Sequence, residues 1–336
     1  INSWTNDRKQ FLDDVESVVR NISKLISNFF SDAISFVKDD KADDNITKVF
    51  NSDAHCRKDW IEKYDPNIHT EINEDTLEKN ISTFIDEELI TFSIDDCKRS
   101  IPNLMDGFKQ SQRKILYAAF LKNLKVNSLK VAQFAGYIAE NTNYHHGEQN
   151  LYNTIVKMAQ EFVGSNNIPL FTRDGQFGAR VQNGEDAAAA RYIFTRLEKI
   201  TRYIFREEDD VLLERVIDDG DIVEPKFYVP ILPVVLINGC EGIGTGWSCS
   251  IPAFNPLDVS NLVKKWLEKE NIAEEDCKIV PWYRGFKGTI TEDETKIKRY
   301  ITKGIIQETK EGVEVSELPI NMWTNKFKEF CEDLLE

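Results

Sequence analysis

The chain has no apolar run approaching the ~18 to 20 residues that a membrane span requires. The short segment Phe29-Phe30-Ser31-Asp32-Ala33-Ile34 is interrupted by a charge, and no membrane partner is expected. There is no Cys-x-x-Cys pair either. The six cysteines, Cys56, Cys97, Cys240, Cys249, Cys277 and Cys331, are widely scattered, which argues against a zinc module or a disulfide framework and suits a reducing compartment. A His-Glu-x-x-His motif is absent, and the adjacent His145-His146 would point about 100° apart on a helix. The glycine-dense Gly239-x-Glu241-Gly242-x-Gly244-x-Gly246 lacks the Lys-Ser/Thr of a phosphate-binding loop and does not fit Gly-x-Gly-x-x-Gly. It reads as close backbone packing that supports the loop after it. No internal repeat or low-complexity linker is present. Excess positive charge is lacking too, since the formal net charge is −15.

Within that acidic total the charge is uneven. From Cys97 to Lys130 the chain carries Lys98, Arg99, Lys109, Arg113, Lys114, Lys122, Lys125 and Lys130 against Asp106 alone. Such a stripe suits a polyanion, whose affinity comes largely from neutralised phosphates. The alternative is a solvated helix face with acidic partners elsewhere in the fold. Asp39-Asp40 and Asp43-Asp44 read as a solvated acidic loop, and no metal ligand is assigned. The chain starts at Ile1 and stops inside the helical pattern Phe327, Phe330, Leu334, so it is expected to be a piece of a longer protein. Its 336 residues leave room for two or three compact units.

Apolar spacing predicts a helix at Phe11, Val15, Val18, Val19, Ile22 and Ile26, and a short one at Phe84 to Leu89. Three more helices are expected over 112–122, 129–140 and 147–162. Asp174-Gly175 and Asn183-Gly184 are turn signals, so three helices followed by a hairpin suggest a winged helix-turn-helix. From about Asp221 the alternation Phe227, Val229, Ile231, Val234, Leu236 reads as strands, followed by short β segments at Gly288-Thr289-Ile290 and Val313-Glu314-Val315. The expected class is α+β.

Just past the second turn signal, Arg191 and Tyr192 place a permanent cation beside a phenol. A tyrosine that attacks phosphate gives an aryl phosphodiester, and with a phenol pKa near ~10 the phenoxide leaves far more readily than an alkoxide. A strand bond can then be opened and resealed at little net energy. The arginine fork holds a phosphate bidentately and offsets charge building on its non-bridging oxygens. Read alone, the dipeptide is weak evidence, since most Arg-Tyr pairs are surface or half-buried packing residues.

The surrounding blocks carry a resemblance. Ser100-Ile101-Pro102-Asn103, Asp106-Gly107-Phe108-Lys109, Gln112-Arg113-Lys114-Ile115-Leu116-Tyr117, Lys130-Val131-Ala132-Gln133, Tyr144-His145-His146-Gly147-Glu148 and Phe162-Val163-Gly164-Ser165-Asn166-Asn167 occur in order. They continue through Arg191-Tyr192 to Glu224-Pro225, the glycine-dense block, Ile251-Pro252, and Glu317-Leu318-Pro319 with Trp323-Thr324. Together they resemble the eukaryotic-type DNA topoisomerase II family, of type IIA. The resemblance implies a Toprim-domain tail over 1–66, a connector over 67–96, a winged-helix cleavage domain over 97–220 and an incomplete β-rich tower domain over 221–336.

It further implies Tyr192 as nucleophile, with Arg191 and Arg113 on the scissile phosphate and His146 in a phosphate contact or proton-handling role. Lys109, Lys114, Lys130, Gln133 and His145 would contact DNA, and Ile251 would wedge between base pairs to bend the duplex. Without the resemblance, Arg113 and Lys114 are an exposed basic helix, His146 a structural histidine, and Ile251 a buried residue before a proline. The family departs here at Gln110-Ser111, where Pro-Gly is usual, at Glu185, where lysine is usual, and at Gln176 and Ala179. Loss of a cation at Glu185 bears on DNA affinity more than on chemistry.

The implied reaction is a transient double-strand break in one duplex through 5′-phosphotyrosyl links, with passage of a second duplex. It needs a homodimer on double-stranded DNA. Mg2+ and ATP would be bound by parts of the full protein outside this chain, so the chain alone is expected to lack complete activity. The expected location is the nucleus for a cellular eukaryotic source, or a host cytoplasmic factory or nucleus for a viral one. Two other readings stay open. One is a catalytically inactive DNA-binding scaffold of the same fold. The other is an acidic protein-interaction module.

Overall fold

The computed structural model describes residues 35–65, 78–268, 273, 277–296, 298–310 and 312–335. The helix expected from Phe11 to Ile26, and residues 67–77 of the expected connector, lie outside the described residues. The chain divides into two compact units. One comprises Ile1–Asp96 with Thr245–Trp247, the other Cys97–Gly244 with Ser248–Glu336.

In the first unit, strands β1 (Ser35–Val37) and β2 (Glu78–Asn80) pair in parallel. Helix α1 (Ala42–Phe50) precedes α2 (Ala54–Glu62), which starts where the Asp53 carboxylate accepts from the His55 N–H, a side-chain cap on an otherwise unpaired donor. The short helix expected at Phe84 to Leu89 is part of a longer one. Helix α3 (Ile81–Phe84) passes through a π-helical turn (Ile85–Leu89) into α4 (Ile90–Ser100). Trp60, buried with Val49, Ile85 and Ile90, donates its indole N–H to Asp86 at 3.0 Å, so the ring is covered without an unmet polar atom.

The second unit is built on α5 (Gln110–Leu121), α6 (Val131–Thr142) and α7 (Glu148–Ala159). All three expected helices are present, and their ends are set by local chemistry. Gln112 Oε1 accepts the Lys109 N–H at 2.9 Å, which starts α5 two residues earlier than expected. Leu129–Lys130, expected to be helical, form strand β3 paired with β4 (Phe194–Thr195). Asn143, at φ 46°, ends α6 in the left-handed region. Phe108, Leu116, Phe134, Ile138, Leu151, Ile155, Phe171, Ile193 and Phe205 share one core.

Residues 171–197 form a ribbon, with antiparallel bridges Phe171 to Leu197 and Asp174 to Phe194. Its turns fall at the two expected signals. Gly175, at φ +110°, lies so close to Ile193 that a Cβ would meet its Cγ2 at 2.8 Å, and Asn183 and Gly184 both have positive φ. A side chain at Gly175 would lift Ile193 from the core.

After α8 (Thr201–Ile204) comes the hairpin of β5 (Arg215–Asp218) and β6 (Asp221–Pro225). The strand expected through Phe227 to Leu236 is not formed. Pro230 and Pro233 remove ladder donors, and Pro233 instead precedes the short helix α9 (Val234–Ile237). Hairpin β7 (Cys240–Ile243) and β8 (Ser248–Ile251) follows, then α10 (Pro256–Glu268). Hairpins β9 (Thr289–Glu292) with β10 (Tyr300–Lys303) and β11 (Ile305–Thr309) with β12 (Gly312–Glu317) contain the two expected β segments. Helix α11 (Thr324–Asp333) carries the rings of Phe327 and Phe330 6.4 Å apart. Every sheet among the described residues has two strands, and the class is α+β as expected. No described helix is long and apolar enough to cross a membrane.

Candidate active site

Tyr192 is 65% exposed, although the residue after it is sealed in the core. The backbone explains this combination. The Ala132 N–H donates to Ala190 O at 3.1 Å and the Val131 N–H to Ile193 O at 3.0 Å, so the first turn of α6 grips the chain on both sides of the tyrosine. A tight turn, Tyr192 N–H to Ala189 O at 2.9 Å, then projects the phenol outward. The ring stands on a fixed base near the N-terminal end of α6, where the helix dipole favours negative charge. The Arg191 guanidinium lies 5.0 Å from the Tyr192 ring centroid, so the cation and the phenol form one exposed group.

Arg191 also lines an open cleft of about 720 Å³ whose far wall is α7, with Gln149, Asn153 and Lys157 facing it and Glu185 on its rim. Lys130, half-buried, has its ammonium 5.9 Å from the Phe194 ring, and Gln133 is exposed in the first turn of α6. Both of these expected contacts are thus beside the tyrosine loop. Lys109 is half-buried just before α5.

Arg113 and Lys114 are elsewhere and differently placed. Arg113 is only 8% exposed; its Nε donates to Asp106 Oδ2 at 2.8 Å and its Nη2 to Phe108 O at 2.9 Å. Asp106, fully buried, also accepts the N–H of Phe108 and of Tyr228, both at 2.9 Å. The fork is therefore held rigidly. The expectation that Lys114 contacts DNA is corrected here. Its ammonium is buried, 2.9 Å from the fully buried Glu224 carboxylate and bonded to Thr142 O, with Asp218 at 3.7 Å. A charge so enclosed is satisfied inside the fold, and exposing it would strand Glu224.

His145 and His146 are both exposed in the loop between α6 and α7. His146 stacks edge-on against Tyr144 with centroids 5.3 Å apart, and Tyr144 Oη accepts from Asn150 at 3.0 Å. Burial pushes the Tyr144 phenol above its ordinary value, against the opposing effect of that hydrogen bond. His145 Nε2 lies 3.6 Å from Asp219 Oδ2. His145, Asp218 and Asp219 could bring ligand atoms within 4.8 Å of one another, but the group is largely exposed and shares Asp218 with Lys114, so no ion is assigned to it. Among the described residues, no hydrogen bond or ion pair joins Arg113 or His146 to Arg191 or Tyr192. Ile251, at the end of β8, is half-buried against Ile237, Phe254 and Val259. Gly239 supports this stretch, since a Cβ there would meet Ile251 O at 2.5 Å.

A family model described as DNA gyrase/topoisomerase IV matches residues 99–336, which include all of these side chains, and one described as the C-terminal associated domain of TOPRIM matches residues 6–97. The chain belongs to the type II DNA topoisomerase family. It is 47% identical over 90% of its length to DNA topoisomerase 2 of Invertebrate iridescent virus 6, covering 27% of that protein, and 50% identical over 82% of its length to DNA topoisomerase 2 of Saccharomyces cerevisiae, covering 19%. The crystal structure of the Plasmodium falciparum topoisomerase II DNA-binding, cleavage and re-ligation domain superposes with a TM-score of 0.77 at 42% identity, covering 94% of this chain and 42% of that one. The chain thus spans about a quarter or less of the curated relatives.

Several residues of this topoisomerase chain had no role assigned from sequence. Asn167 is buried, and its amide donates to Ile237 O, Phe254 O and Trp282 O while its carbonyl accepts the Arg284 N–H at 2.8 Å. It ties the segment after Ile251 to the helical core. Arg180, in the ribbon turn, donates to the buried Glu317 at 2.5 Å and to Leu318 O at 2.8 Å. Gln160 donates to Phe177 O and Gly184 O, clasping both sides of the same turn. Asn167 and Glu317 were visible in matching blocks of the sequence; the partners of all three residues, far away in the chain, were not.

Proposed function

We propose that this chain is the DNA breakage-reunion segment of an ATP-dependent type IIA topoisomerase, with Tyr192 as nucleophile. The observation that carries the reading is the exposed Tyr192 phenol beside the Arg191 guanidinium, on a backbone fixed by α6. In the proposed step, Tyr192 Oη gives up its proton and attacks a DNA phosphorus, the phosphorus bond to the 3′-oxygen breaks, that oxygen takes up a proton as a 3′-hydroxyl, and a 5′-phosphotyrosyl bond remains. Arg191 offsets the charge on the non-bridging oxygens. The Arg113 fork, oriented by Asp106, is poised to hold the phosphate with little reorganisation. His146 is the proposed contact or proton handler. Resealing reverses the step, with phenoxide as leaving group.

On this reading α5 to α7 with the 171–197 ribbon form a winged helix, 221–336 belong to the tower, and Ile251 is the wedge. The duplex runs over Lys109, Lys130, Gln133 and His145, and two copies of the chain each supply one tyrosine. Mg2+ and ATP belong to parts of the protein outside this chain, where they would supply phosphate charge neutralisation and the drive for strand passage. The proposed location is the nucleus, or the replication site of a large DNA virus. The relatives' names and the intact Arg191-Tyr192 pair favour this over a silent scaffold or an acidic interaction module.

The test is denaturing capture of the covalent DNA adduct with the full-length protein. Tyr192→Phe should abolish the adduct and leave non-covalent binding within a few fold, because only the nucleophilic oxygen is removed. Undiminished adduct in that variant would overturn the assignment.

A further inference from the structure

Cys240 and Cys249 have their sulfur atoms 3.7 Å apart on the hairpin that ends in Ile251. In the strand register Cys240 stands opposite Ile251 and Gly242 opposite Cys249, so the two thiols are diagonal neighbours on the face that also bears Ile251. None of the six cysteines is in a disulfide, and Cys240 and Cys249 are in sulfur–sulfur contact. We propose that Cys240 and Cys249 form a peroxide-sensitive dithiol whose oxidation to a disulfide distorts the Ile251 hairpin and suppresses DNA cleavage. The effect on cleavage rests on the proposed function. The site itself does not.

Closing the bond requires the sulfurs to approach to ~2.05 Å, with Cα atoms no more than ~6.8 Å apart. Diagonal residues across an antiparallel ladder ordinarily lie about 7–8 Å apart, so the disulfide draws the strands together. There is little room to absorb this, because the Gly239 backbone passes so near that of Ile251 and Ala253 that even a Cβ there would meet Ile251 O at 2.5 Å. The movement is therefore passed to the wedge residue. A disulfide formed against such a pull is readily reduced, which makes the change reversible.

The chemistry balances with hydrogen peroxide as oxidant. Burial first, then the neighbouring Cys249 sulfur and Glu241, hold the Cys240 thiol protonated, with Lys109 opposing. Cys249 is accordingly the sulfur that attacks peroxide: its S–O bond forms, the O–O bond breaks, and the hydroxide that leaves takes the Cys249 proton as water. Cys240 sulfur then attacks the sulfenic sulfur, the S–S bond forms and the S–O bond breaks. The departing hydroxide takes the Cys240 proton. Two thiols and one peroxide yield one disulfide and two waters.

Both cysteines fall in one tryptic peptide, residues 227–264. The reduced full-length protein is treated with hydrogen peroxide, alkylated and digested. The expected peptide is lighter by two hydrogens and unalkylated, and its yield falls to nothing in Cys240→Ser and in Cys249→Ser. In parallel, adduct formation should drop roughly tenfold to 10²-fold, the scale on which misplaced reacting groups lose rate, and dithiothreitol should restore it. Both serine variants should cleave normally and ignore peroxide. A doubly alkylated peptide after peroxide overturns the dithiol. A disulfide with undiminished adduct, or peroxide sensitivity that persists in Cys240→Ser, overturns its control of cleavage. Absence of adduct even in the reduced protein would instead sink the functional reading, while the peptide mass still decides the site.

Discussion

Two Arg-containing pairs in the same unit have opposite fates. Arg113 and Lys114 open α5 inside the most basic stretch of the chain, yet both are buried against carboxylates, Asp106 and Glu224. Arg191 and Tyr192 follow four alanines and an acidic turn, yet they stand in solvent. Local charge density in the sequence thus says little about which cations stand in solvent. Two acidic residues, Asp106 just before the helix and Glu224 far from it, hold Arg113 and Lys114 inward, while backbone bonds from α6 turn the tyrosine loop outward.

The largest effect should come from the inward pair. Lys114→Met leaves Glu224 charged and uncompensated, at a cost of about 3–5 kcal/mol of stability, measurable by denaturant unfolding. Lys114→Met with Glu224→Leu should recover most of it. The dependence of DNA affinity on salt should stay as in wild type for the double variant, whereas Lys130→Met should lower that slope by about one. A reduced slope in the double variant would return Lys114 to the DNA surface.

Arg191→Ala is expected to slow cleavage by about 10² or more with an unchanged melting temperature, since the side chain is exposed. A rate equal to wild type would reduce Arg191 to a ring contact. The smallest effect is expected at Ile251. In Ile251→Ala, DNA binding should stay within a few fold while bending weakens, because phosphate contacts hold the register and the wedge supports only the kink. Energy transfer across a doubly labelled duplex at matched saturation would show a longer end-to-end distance. Bending equal to wild type would assign Ile251 to its local core with Ile237 and Phe254.

The sequence made the helices legible because apolar spacing survives without tertiary information, as in Leu151, Ile155 and Val156 of α7. The turns at Gly175 and Gly184 were legible because positive φ selects residue type. The stretch from Phe227 to Leu236 misled, since its alternation is genuine but its prolines forbid a ladder. Arg191 and Tyr192 were visible as a pair, and their exposure was not, because it depends on N–H groups of Val131 and Ala132 some 60 residues earlier. The fate of Lys114 was invisible for the same reason. Its partner Glu224 is 110 positions away.

The central claim is that the exposed tyrosine, and no other, takes the DNA strand. Adduct formed by the full-length protein on labelled duplex is trapped by denaturant and digested with protease, and the nucleotide-bearing peptide is sequenced by mass spectrometry. The modification should map to Tyr192. Tyr203 supplies the control, being 70% exposed but without that setting. A nucleotide on Tyr203, or on any tyrosine other than Tyr192, would contradict the account.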